Sequence, residues 1–119
     1  MQLNTASLVA AALAFAATAS ADSLIVHQYC LTLACNNPGT WHSAYGDFFV
    51  DAGEGCRDPD IPGMWSLCID EGNARGHFYF DNQPKRCIKQ TDNDFEKCSD
   101  DYQFATCSVI YYDEVPCTW

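Results

Sequence analysis

Residues 65–90 read WSLCIDEGNARGHFYFDNQPKRCIKQ, and this stretch decides the fold. Three short runs in it are rich in β-branched and aromatic residues: Ser66-Leu67-Cys68-Ile69-Asp70, Gly76-His77-Phe78-Tyr79-Phe80 and Arg86-Cys87-Ile88-Lys89-Gln90. The turn-forming segments Glu71-Gly72-Asn73-Ala74-Arg75 and Asp81-Asn82-Gln83-Pro84 separate them. Three strands with short connections predict an antiparallel meander. Side chains alternate across a strand, so Phe78 and Phe80 belong to one face and His77 and Tyr79 to the other. Cys87 and Lys89 share a face opposite Ile88.

Outward from this centre, strands are expected near residues 24–32, 47–51 and 106–112. Turn signals punctuate the chain at Asn36-Asn37-Pro38-Gly39, at Gly53-Glu54-Gly55 and at Asp58-Pro59-Asp60-Ile61-Pro62-Gly63. Thr91-Asp92-Asn93-Asp94 resembles a helix start, and Phe95, Cys98 and Tyr102 recur at i, i+3 and i+7. These signals predict a short helix over residues 92–99. The expected class is α+β and β-rich: a small antiparallel sheet stapled by disulfides, with one short helix.

The chain has 119 residues and eight cysteines: Cys30, Cys35, Cys56, Cys68, Cys87, Cys98, Cys107 and Cys117. Residues 1–21 read as an export signal. Their apolar run of about ten residues is half the length needed to span a bilayer, and Ala19-Ser20-Ala21 supplies small residues for cleavage before Asp22. Residues 22–119 are then one secreted, cysteine-rich domain. An even cysteine count in a short exported chain predicts four disulfides, with 105 possible pairings for eight cysteines. No C-x-x-C pair is present, which argues against bound zinc. The net charge of −10 disfavours nucleic acid and anionic membrane surfaces as partners. No N-x-S/T sequon occurs after residue 21.

Candidates for chemistry are few. The acids Asp92, Asp94, Glu96, Asp100 and Asp101 lack the calcium-loop pattern, since Lys97 stands where glycine is required. No G-x-S-x-G surrounds a serine. The three histidines are the only side chains that ordinarily titrate near neutrality. His42, Glu54, Arg75 and His77 fall in the order of the base, acid and phosphate clamp used by small acidic secreted fungal ribonucleases. The last two lie closer together than in that family, and the cysteines are too many. This set is the alternative catalytic reading. Neither cofactor nor metal is expected. Among the aromatics, Tyr79 and Trp119 are the candidate binding anchors. Trp119 follows Cys117, so a disulfide would hold its indole against the domain.

The Ala-rich leader, the eight cysteines, GHFYFDNQPKRC at residues 76–87 and the terminal PCTW together resemble the fungal small secreted cysteine-rich proteins, a candidate effector class. The likeness is compositional over the whole chain and specific over residues 68–87. It implies an extracellular, host-directed or antagonistic role. The lack of a nucleophile motif or metal-ligand spacing points separately to an effector-like or virulence-associated protein that acts by binding a host or other extracellular protein or glycan. That class carries no common site. A toxin-like antimicrobial protein and a small ribonuclease-like hydrolase are the alternatives, and the acidity opposes the first of them.

Overall fold

A computed structural model describes residues 21–32, 34–98 and 105–119. The expected leader falls outside these residues except for Ala21. The described residues form nine strands: β1 (Ser23–Cys30), β2 (Cys35–Asn36), β3 (Pro38–Ser43), β4 (Gly46–Asp51), β5 (Gly55–Arg57), β6 (Met64–Asp70), β7 (Arg75–Phe80), β8 (Arg86–Glu96) and β9 (Thr106–Val115). All pairings are antiparallel, in the order β4-β3-β1-β9-β8-β7-β6-β5, with β2 added to β1. The sheet curls into a half-barrel.

The α+β class is corrected by this architecture, which is nearly all β. Among the described residues the only helical segment is a single 3-10 turn, Glu71–Asn73. The helix expected over residues 92–99 is instead the second half of β8, where Asp92, Asn93, Asp94, Phe95 and Glu96 pair one for one with Tyr111, Ile110, Val109, Ser108 and Cys107. Long-range ladder bonds override a local capping signal and a three-residue apolar spacing, both too short to hold a helix alone. Ser99 and Tyr102 lie outside the described residues. β3 was not legible either. Pro38 and Gly39, expected in a turn, open this strand, at a strand's first position where proline is tolerated.

The meander stands as read, with β6, β7 and β8 consecutive in the sheet. Phe78 is fully buried and Phe80 packs against the core, while His77 and Tyr79 face outward. The core fills the concave side with Leu24, Val26, Trp41, Leu67, Phe78 and Ile88. Trp41 of β3 meets Phe78 of β7 edge to face at 4.7 Å, so side chains close the curl between strands that do not pair.

All eight cysteines are paired: Cys30–Cys35, Cys56–Cys68, Cys87–Cys117 and Cys98–Cys107. Four disulfides in so small a β domain mark a protein suited to an oxidising, extracellular setting. Among the described residues no helix is long and apolar enough to cross a membrane.

Candidate functional site

Sequence reasoning nominated residues from several strands, and the sheet distributes them over different surfaces. Trp41 and Phe78 meet inside the curl, so their strand neighbours His42 and His77 point outward on opposite sides. His42 Nδ1 lies 2.7 Å from Asp47 Oδ1 in the β3–β4 hairpin. Glu54 Oε2 accepts the Glu71 backbone N–H at 2.7 Å, which ties the loop before β5 to the 3-10 turn. Arg75 and His77 share one face of β7. The structure thus brings together two of the four residues of the catalytic alternative and separates His42 from them.

The outer face of β5 to β8 carries two ordered cross-strand rows. One cross-strand row runs Cys56, Cys68, His77, Cys87, so His77 stands between two disulfides. Burial, and then the nearby Lys85 charge, push the His77 pKa below its ordinary value, which favours the neutral ring. A second row runs Asp70, Arg75, Lys89, Asp113, acid to base to base to acid. Arg75 Nε lies 3.5 Å from Asp70 Oδ2, and its guanidinium covers the Trp119 ring at 4.9 Å. A hydrogen bond from Asn73, more than the Arg75 charge, holds the Asp70 carboxyl below the usual carboxylate range.

Trp119 is held from three sides: by Arg75 on its ring, by Lys85 Nζ donating to its carbonyl oxygen, and by the Cys87–Cys117 bond two residues before it. Its indole nitrogen is buried without a hydrogen-bond partner. The indole acts as a lid on the sheet. Tyr79 is presented differently. It stacks on Trp65 with centroids 4.8 Å apart and planes 20° from parallel, and it meets the His77 edge at 5.8 Å.

Trp65 is the residue that sequence reasoning missed. It is 55% exposed. Strict alternation with Leu67 and Ile69 would turn it into the core. A bulge between Met64, paired with Phe80, and Ser66, paired with Tyr79, adds one residue to β6 and turns Trp65 out over Tyr79.

A second region lies at the mouth of the half-barrel. Asp22, Arg86 and Glu114 form a charge cluster beside a cavity of about 350 Å³, also lined by Tyr45, Phe80 and Gln83. Trp41 Nε1 donates to Asp22 Oδ2 at 2.9 Å. Burial raises the Asp22 carboxyl pKa, against the lowering effects of Trp41 and Arg86. Hydrogen bonds to Glu114 raise that of Arg86. Deeper in the curl, burial foremost and then the Glu71 and Glu54 charges push the Tyr112 phenol up to about 12. No group of three or more His, Cys, Asp or Glu among the described residues is placed to hold a metal ion. Comparison of the chain with protein-family models, curated proteins and solved structures finds no match.

Proposed function

We propose that this protein acts outside the producing cell as a non-catalytic binder, and that Trp65 and Tyr79 on the outer face of β6 and β7 are its anchors. The observation that carries this reading is an exposed tryptophan, packed face to face on a tyrosine, on a sheet surface stapled by two disulfides. Large rigid rings dominate interface energetics, because they bury much area at little entropic cost. Each ring covers one face of the other, so the pair forms a two-ring wedge. A wedge suits a protein cleft better than a sugar ring, which stacks on an open aromatic face. Trp119 lies over Arg75 on the same sheet face and its indole nitrogen is buried, so it is the weaker anchor.

The resemblance to fungal small secreted cysteine-rich proteins supports an effector role, directed at a host or a competing organism. Leader removal after Ala21 and export belong to the same reading. His42 and His77 face opposite sides of the molecule, which supports binding over the ribonuclease alternative.

The oxidised protein, immobilised, is expected to capture a protein from host or competitor extracellular fluid. Trp65→Ala with Tyr79→Ala should weaken that capture at least tenfold while the thermal midpoint stays within a few degrees. Capture unaffected by the double substitution would reject this face. RNA cleavage between pH 5 and 8 that His77→Ala abolishes would replace binding with catalysis.

A further inference from the structure

Asp22 immediately precedes β1. Ala21 is exposed, whereas Asp22 is 5% exposed at the barrel mouth. Its backbone nitrogen donates to Glu114 Oε1 at 2.8 Å, and its carbonyl oxygen accepts the Glu114 N–H at 3.1 Å. Its carboxylate lies 3.5 Å from Arg86 Nη2. Arg86 in turn forks onto Glu114, Nε to Oε2 at 2.8 Å and Nη2 to Oε1 at 2.7 Å. While a residue precedes Asp22, this cluster holds two carboxylates and one guanidinium. It carries one uncompensated negative charge in a site where burial already disfavours the Asp22 carboxylate.

We propose that proteolytic removal of residues 1–21 converts the Asp22 nitrogen into an α-ammonium that completes this cluster as its second cation. Hydrolysis of the Ala21–Asp22 peptide bond by a signal-peptidase-type protease supplies the group. Water gives its hydroxyl to the Ala21 carbonyl, and the freed amine is protonated by solvent. Two independent observations coincide at this bond. Ala19-Ser20-Ala21 is the pattern that such a protease accepts, and Asp22 is the first buried residue after it. The nitrogen already lies at charge-assisted hydrogen-bond distance from a carboxylate. The new chain end is therefore a structural charge rather than a frayed tail.

The sign of the pH effect follows from the groups that face it. The residue before β1 supplies the Asp22 carboxylate, β9 supplies Glu114 and β8 supplies Arg86, while β3 offers the neutral Trp41 indole. Tyr45 and Gln83 line the adjoining cavity. His42 and Asp113, cross-strand partners of Ser23, stand one residue further along. Burial and the Arg86 guanidinium oppose a charged α-amine here, and two near carboxylates with a charge-assisted hydrogen bond to Glu114 favour it. A completed cluster requires the second effect to win, which holds the α-amine above its usual range of about 7.7–8.0. A raised folded-state pKa contributes stability that is fully present below the unfolded value and is lost as pH rises through the folded one.

The test compares a chain starting at Asp22 with one starting at Ala21. Every strand among the described residues and all four disulfides lie beyond Asp22, so both chains contain them. At pH 7 the Asp22 amine should acylate at least tenfold more slowly than the Ala21 amine. The Asp22 form should melt a few degrees higher at pH 6, and this gap should close above about pH 9. Intact mass of the full chain after export should begin at Asp22. Equal acylation rates, equal melting at pH 6, or a mature chain starting elsewhere would each overturn the proposal. None of these outcomes depends on the Trp65 and Tyr79 reading.

Discussion

Gly76 and Ala74 lie two residues apart, and each is constrained by a different physical term. Gly76 has no room for a side chain: an added Cβ would sit 2.6 Å from the Cys68 carbonyl oxygen and 3.2 Å from Ile88. Ala74 has room, but its φ of 54° lies in the left-handed region, which costs an L-residue roughly 1–2 kcal/mol. Gly76→Ala is therefore expected to destabilise by about 1–3 kcal/mol through overpacking. Ala74→Gly should be neutral or stabilise by up to about 1 kcal/mol, since relieved strain is partly offset by a looser unfolded chain. Denaturant midpoints of the two variants check both signs. At this scale the sequence was legible wherever alternation ran unbroken, as at Phe78 and His77. It failed at Trp65, because one extra bulged residue reverses which face a side chain takes and leaves no compositional trace.

β8 shows how one element changes role along its length. Cys87, Ile88 and Lys89 are flanked by β7 and β9, and Cys87 and Ile88 are buried. Beyond Gln90 a second bulge interrupts the register, and residues 92–96 pair with β9 alone. This half is exposed throughout and presents an open row of backbone groups along its free edge. Asp92, Asp94 and Glu96, which read as helix N-terminal acids in the sequence, are better explained as charges that keep this edge from pairing with another chain. The pattern was ambiguous because acids serve both purposes and the deciding partner, β9, lies far along the chain. Replacing Asp94 and Glu96 by Val should leave the monomer folded and cause concentration-dependent association. Light scattering reads this directly, and a double variant that stays monomeric at high concentration would show that the charges do not guard the edge.

For the whole molecule, composition told more about setting than about shape. Eight cysteines and a small chain pointed to a disulfide-stapled domain, and the four bridges agree. The half-barrel was hidden because its closure depends on Trp41 reaching Phe78 from a strand that its own Pro-Gly start disguised. The same curl sends His42 and His77 to opposite sides, which linear order could not reveal. The bridges also differ in what they do. Cys30–Cys35 and Cys56–Cys68 join residues that are already ladder partners, and Cys98–Cys107 closes the far end of the β8–β9 hairpin. Cys87–Cys117 alone ties the segment after β9 to the sheet face, and it closes the longest span, 30 residues against 5, 12 and 9. In the chain-entropy account these spans correspond to about 2 kcal/mol for the shortest and about 4 kcal/mol for the longest. Cys87 is also fully buried, so its loss opens space beside His77. Paired alanine substitutions are thus expected to destabilise most at Cys87 and Cys117 and least at Cys30 and Cys35. The Cys87 and Cys117 pair should in addition shift Trp119 fluorescence as its indole leaves Arg75. Were the shortest loop to prove the costliest to open, unfolded-state entropy would not be what these bridges contribute, and strand registry would take its place.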